Sequence, residues 1–312
     1  MIKIGIIGLG DIATKAYLPV FTNKSEFEFH LCSRNEVRLN DISACYRFHT
    51  THINLDSLIK SGIIGAFVHA ATDSHFEIVK KLLEENIHVF VDKPITMRYE
   101  LSKQLTEIAE ERNLFFMVGF NRRFSPVYQR LKEIKEPTLI IMQKNRESSP
   151  DLIRNFIIDD FIHVVDTLRF LFPLPIDDLI VHGIIRQKLM YQVVVQFVSK
   201  TGAVAIGIMN RDGNLTEEKV EVMSSKAKAI AINLSGLVVE ESGMTSIIRN
   251  KDWESMLYKR GFEQMTDYFL KAISTNKFDN HMSRDALLTH EICERIVEKL
   301  ELQQLAQKEQ RV

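Results

Sequence analysis

Met1-Ile2-Lys3-Ile4-Gly5-Ile6-Ile7-Gly8-Leu9-Gly10-Asp11-Ile12-Ala13 opens the chain, and its reading decides the fold. Residues 1–7 read as a buried β-strand, glycines follow at once, and a helical pattern follows them. A strand that turns through G-x-G-x-x-A into a helix is a place to hold a pyrophosphate. Gly8 permits the tight turn. Gly10 removes a side chain where the phosphates come close, and Ala13 is small enough for the helix to pack on the strand. The free N–H groups at the helix start, around Asp11 and Ile12, then face the anion together with the positive end of the helix dipole. The plain alternative is a βα turn that uses glycine for geometry alone. The strand–turn–helix context favours the phosphate site.

The chain of 312 residues is long for one hydrophobic core, so two domains are expected. Its residues are 45% hydrophobic and 26% charged, the balance of a soluble globular protein, with a formal net charge of −1. Near-neutrality speaks against nucleic acid as a partner, because such binders carry a basic stripe. Charged residues interrupt every apolar run short of a membrane span. The first residues lack a signal-peptide pattern. Cys32, Cys45 and Cys293 are odd in number and lack metal-ligand spacing. No metal is expected, and the thiols fit a reducing, cytoplasmic setting.

Up to residue 120 the pattern alternates strand and helix. Strands are expected at 27–32, 65–70, 89–91 and 114–119, and helices at 56–61, 74–85 and 99–112. Such alternation implies a doubly wound parallel sheet, in which ligands sit beyond the carboxyl ends of the strands. After residue 120 the rhythm changes. A helix at 124–135, a strand at 138–146 and a long helix at 156–172 lead into strand-like runs at 179–185, 191–199, 204–209, 219–223, 229–234 and 245–249. Short turns between several of these suggest a large, open, mainly antiparallel sheet. Helices at 261–274 and 284–304 close an α+β second domain, and 307–312 reads as a disordered polar tail. The division is therefore 1–120 and 121–312, with the C-terminal helix able to pack back on the first domain.

Four places carry chemistry. Ser33 and Arg34 end the second strand, where an NAD-selective site usually has Asp or Glu for the ribose hydroxyls. A hydroxyl beside a guanidinium suits the extra phosphate of NADP, so NADP is preferred over NAD; the alternative is a solvated Arg near a helix start. Thr72 and His75 follow the strand expected at 65–70 along the expected cofactor cleft, and a packing role for His75 is equally open. Asp92-Lys93-Pro94 puts an ammonium at the carboxyl edge of a parallel strand, where it meets the cleft rather than the core. A surface turn would look the same in isolation. Asp159 and His163 stand four apart on one expected helix face, with Asp166 three further, a spacing that suits a carboxylate tuning an imidazole. By themselves they would read as a surface ion pair and a satisfied core histidine. Lys144, Asn145 and Arg146 end an expected strand; they suit an acidic or polyhydroxylated ligand, but exposed edge charges are the favoured reading.

Together, Gly8-Leu9-Gly10-Asp11-Ile12-Ala13, Thr72-Asp73-Ser74-His75, Asp92-Lys93-Pro94, Asn121-Arg122-Arg123-Phe124 and Asp159-x-x-x-His163 resemble the Gfo/Idh/MocA family of NAD(P)-dependent oxidoreductases. The resemblance is nearest to its MviM-type members. It implies a Rossmann domain followed by an α/β domain whose open sheet makes a homodimer or a dimer of dimers. It also implies hydride transfer at a hydroxyl or carbonyl carbon of a sugar, polyol or inositol. Lys93 matches the lysine that holds substrate and supports proton transfer. His163 matches the acid/base, with Asp159 as its partner, and Asn121, Arg122 and Arg123 match a segment near the nicotinamide. Asp92 stands where the family has Glu, and Phe161 where it has Gly; a ring at that point would narrow the substrate pocket or turn the helix. The alternative reading is a non-catalytic NAD(P)-binding sensor.

Overall fold

Ile4, Gly5, Ile6 and Ile7 are all buried in the first strand, so both of its faces are covered. The computed structural model describes residues 1–279 and 281–309. It divides into two compact units, one of residues 1–120 with 262–288 and the other of 121–261 with the residues from Thr289 onward. A single boundary at residue 120 does not describe this division, because residues 262–288 count with the first unit.

In the first unit, β1 (Ile2–Ile7), β2 (Phe27–Cys32), β3 (Thr50–His52), β4 (Gly65–Val68), β5 (His88–Val91) and β6 (Phe116–Val118) form a six-stranded sheet. The order is β3-β2-β1-β4-β5-β6, and every pairing is parallel. This is the doubly wound dinucleotide-binding order, in which the chain reverses direction at the edge of β1. The helices Glu36–Tyr46 and Leu55–Lys60 start at Asn35 and Asn54, whose side chains accept the N–H of Arg38 and Ser57. The apolar face of the helix Phe262–Thr275 lies against this unit's aromatic core. Phe269 stands 4.9 Å from Phe67 and 5.5 Å from Phe115, ring centre to ring centre. Burying such rings, at about 1.5–3 kcal/mol each, is what assigns this late helix to the early sheet.

The second unit is built on β7 (Leu139–Asn145), β8 (Asp151–Leu152), β9 (Asp178–Arg186), β10 (Leu189–Val198), β11 (Val204–Asn210), β12 (Glu217–Met223), β13 (Ala227–Ile232), β14 (Gly236–Glu241) and β15 (Met244–Arg249). They make a nine-stranded sheet in which only β7 and β11 run parallel. The expected α/β plus mainly antiparallel α+β architecture is the one observed. β7 lies in the middle, between β12 and β11, so its terminal charges are not edge charges. Burial alternates along β7 and β12, and the helix Ile162–Leu171 lies against β7 and β11. That helix comes close because β11 has Gly207 beneath it. A Cβ there would lie 2.9 Å from Val164 and 3.2 Å from the Phe161 ring.

Two expectations change. The segment 156–172 is not one continuous α-helix: Phe156–Phe161 is a π-helical turn, and the α-helix proper is Ile162–Leu171. Of the expected tail 307–312, residues 307–309 end the helix His281–Glu309, and 310–312 lie outside the described residues. Among the described residues, no helix is long and apolar enough to cross a membrane.

Candidate active site

At the carboxyl end of the first sheet a cleft of about 690 Å³ is lined by Gly8, Gly10, Ser33 and Arg34, together with Cys32, Asn35, Asn54, Asp73 and Glu77. Its volume is in the range of ordinary cofactor sites. The two glycines are there for different reasons. Gly8 has φ +85°, and a Cβ on it would sit 2.4 Å from the Ala70 nitrogen. Gly10 is open: a Cβ would meet nothing nearer than the His69 carbonyl at 4.0 Å, so any side chain would project into free space. That is the cradle a pyrophosphate needs, and the residues present fit a dinucleotide. Ser33 and Arg34 sit at the far end, beyond β2. Arg38, not singled out from the sequence, donates its Nε to the Leu9 carbonyl and so brings a second guanidinium to the glycine turn.

The other residues expected at the cofactor are placed differently. Asp11 is exposed and paired with Lys15 at 2.6 Å; Ile12 is at the surface, and Ala13 packs fully buried. Thr72 lies in a one-turn helix, half-buried, while its neighbours Asp73 and Ser74 reach the cleft. His75 is a bracing residue instead of a cleft contact. It is buried, with Nδ1 3.0 Å from the Pro94 carbonyl and Nε2 2.9 Å from the Ala70 carbonyl. Its ring thereby ties the β4 loop to the β5 loop that carries Lys93.

Lys93 and Asp92 follow β5 at the carboxyl edge, as expected, and the Lys93–Pro94 bond is cis. The Tyr17 hydroxyl donates to Asp92 Oδ1 at 3.1 Å. Burial raises the Asp92 carboxyl from its ordinary value, with Lys93 and the Tyr17 hydroxyl only partly opposing. His69 stacks on Tyr17 at 3.9 Å, and burial pushes its imidazole down to about 3, so the ring is neutral.

In the second unit, the π-helical turn separates two neighbouring acids. Asp159 is exposed and His163 half-buried, whereas Asp160 points inward and is 5% exposed. Lys144 pairs with Asp160 Oδ1, Arg146 bridges both oxygens at 3.0 Å, and Arg211 reaches Oδ2 at 2.9 Å. Burial would raise the Asp160 carboxyl, but Lys144 and Arg146 hold it well below the usual carboxylate range. Burial and the nearby Arg122 lower the Lys144 ammonium to about 7. Beside them Arg122 grips Glu218 through Nε at 2.9 Å and Nη2 at 2.6 Å, and Tyr128 donates to the same carboxylate at 2.6 Å. Lys144 is thus a buried member of a charge cluster, not an exposed edge cation.

Arg123 and Asn121, expected near the nicotinamide, are structural ties within this unit. Arg123 clamps Asp166 through Nε and Nη2 at 2.9 and 2.6 Å, and Asp166 also accepts from Thr289 at 3.0 Å. Asp166 is therefore held by a guanidinium and a hydroxyl. Asn121 donates to the Arg260 carbonyl at 2.8 Å. The Phe161 ring, expected to narrow a pocket or turn the helix, ends the π-helical turn and is fully buried over Gly207.

A Rossmann cleft with a lysine after β5 defines the class, a nicotinamide-dependent oxidoreductase. Residues 2–120 match the oxidoreductase family with an NAD-binding Rossmann fold, and residues 126–242 match the YceM-like C-terminal domain. A Gfo/Idh/MocA family oxidoreductase from Vibrio cholerae is 30% identical, with a TM-score of 0.91 over 97% of this chain and 99% of that one. The dehydrogenase MviM from Clostridium difficile is 31% identical, with a TM-score of 0.89 over 96% and 99%. The protein YceM of Salmonella typhimurium is 36% identical over 173 residues, a little more than half of either chain (54% and 56%). The chain belongs to the Gfo/Idh/MocA family of oxidoreductases.

Proposed function

We propose that this protein transfers hydride between NADP and a hydroxyl- or carbonyl-bearing carbon of a small polyhydroxylated substrate: a sugar, polyol or inositol. The observation that carries the reading is the first unit's cleft, with Gly8 and Gly10 at its floor and Ser33 and Arg34 at its end. Inositol and sugar dehydrogenases among its relatives support the substrate class. The nicotinamide, when bound, supplies or accepts the hydride. Lys93 holds the reacting oxygen and offsets the negative charge that develops on it. His163 takes the hydroxyl proton in the oxidative direction, and Asp159 steadies the charged imidazole. Cys32, Cys45 and Cys293 are free thiols, in keeping with a cytoplasmic enzyme.

Calorimetric titration with NADPH and NADH, followed by a sugar, polyol and inositol panel read at the nicotinamide absorbance, tests the reading. No heat with either nucleotide would refute it. Within that experiment Arg34→Ala is expected to weaken NADPH by about 10- to 100-fold, the worth of one hydrogen bond to a charged group, and to leave NADH unchanged. Equal losses for both nucleotides would remove the NADP preference.

The assembly we propose is a homodimer, or a pair of dimers, through the open sheet of the second unit. Along β15 every residue is exposed, Met244 and Ile247 at 70% and 63%. Light scattering at micromolar concentration checks this, and a monomer there would contradict it.

A further inference from the structure

We propose that the second unit contains an oxyanion subsite, formed by Arg146 and Arg211 around Asp160, which takes the carboxylate or phosphate of an acidic sugar-like substrate. This rests on, and narrows, the substrate class proposed above. The first support is charge. The guanidiniums of Arg146, Arg211 and Arg122, and the Lys144 amine whose charge burial and Arg122 weaken, gather around two buried carboxylates, Asp160 and Glu218. Asp151, at the rim with its side chain 41% exposed, stands 3.9 Å from Arg211 and offsets part of one charge at most. Excess positive charge held out of water is costly unless a counter-charge joins it.

The second support is donor count. The Asp160 oxygens already accept from Lys144, twice from Arg146 and once from Arg211. They have no capacity for more, and the arginines have donors to spare. Arg211 Nε is buried and lacks a hydrogen-bond partner among the described residues. The Arg146 side chain is 41% exposed and opens the cluster to a ligand. A guanidinium with spare, coplanar N–H groups matches a carboxylate or phosphate. Both arginines are held in place. Arg211 lies 4.8 Å over the buried Phe156 ring, and the Arg146 main chain is bonded to the Asn210 carbonyl at 2.9 Å. Asp160 follows Asp159 and precedes His163 by three residues, so the subsite belongs to the segment proposed for proton transfer.

The test is isothermal titration of the full-length chain, with and without NADPH, using D-glucuronate, D-glucose 6-phosphate and methyl glucoside. At least one anionic sugar should bind ten-fold or more tightly than methyl glucoside, and the stronger of the two identifies the carboxylate or the phosphate as the group read. Arg146→Gln should remove about ten-fold of that preference without changing the neutral sugar, and Arg146→Lys should restore part of it. Circular dichroism confirms that both variants are folded. Equal affinity for charged and neutral sugars, no heat with any of the three, or an anion preference indifferent to Arg146→Gln overturns the subsite. Failure to bind either NADPH or NADH, with the anion preference intact, would strike the oxidoreductase reading and leave the subsite standing.

Discussion

Lys93→Ala is expected to lower turnover by about 10³-fold, the scale on which one positioned acid or oxyanion donor acts, while NADPH affinity stays at its wild-type value. The separation follows from where the residue stands. Lys93 leaves the carboxyl edge of β5, whereas the cleft that Gly8, Gly10, Ser33 and Arg34 line is built from the segments after β1, β2, β3 and β4, and Lys93 is not among its lining residues. The edge itself is fixed by main-chain bonds that the substitution does not touch: Asp92 N–H to the Val68 carbonyl at 2.9 Å and Gly119 N–H to the Val91 carbonyl at 2.8 Å. Lys93→Met, which keeps the bulk of the stem, should be as inactive as Lys93→Ala. Steady-state kinetics with a separate nucleotide titration decides the matter. Turnover within a few-fold of wild type in either variant would remove Lys93 from the chemistry.

Glu218→Gln is expected to destabilise the second unit by about 3–5 kcal/mol, because it strands the Arg122 guanidinium in a buried setting. Both side chains are about one-tenth exposed, so water does little to rescue the loss. The same pair sets an acid dependence. Burial alone would raise the Glu218 carboxyl, but Arg122, Lys144 and the Tyr128 hydroxyl override it and hold it down to about 2, against an ordinary value of 4.5. A carboxyl depressed in the folded state contributes stability that is present above its unfolded value and is lost as pH falls. The loss should therefore run from pH 4.5 towards pH 2, on the order of 3 kcal/mol from this group. Urea unfolding at pH 7 and pH 3 in wild type and variant measures both effects. A variant whose midpoint falls as steeply with acid as the wild type would locate the sensitivity elsewhere.

Local signals were legible and long-range charges were not. The turn Gly8-Leu9-Gly10 announces itself because its geometry is set by neighbouring residues, and the β-α rhythm to residue 120 follows from apolar period alone. Asn35 and Asn54 were missed as caps because the helices they start are weakly amphipathic or short. The charge cluster could not be read in the same way: Arg122 and Glu218 are 96 positions apart, and nothing at either end marks the other. Asp159 and Asp160 are adjacent and chemically identical in the sequence. The π-helical turn decides which of them faces the sheet, and an assumed α-helical period does not reveal it.

The ring of Phe161 and the bare backbone of Gly207 occupy one shared volume, the side chain that one strand gives up being the space the other segment fills. Trimming that ring would therefore leave a void which a side chain at position 207 could not simply reclaim, because its Cβ would still lie 2.9 Å from Val164 and 3.0 Å from Leu168.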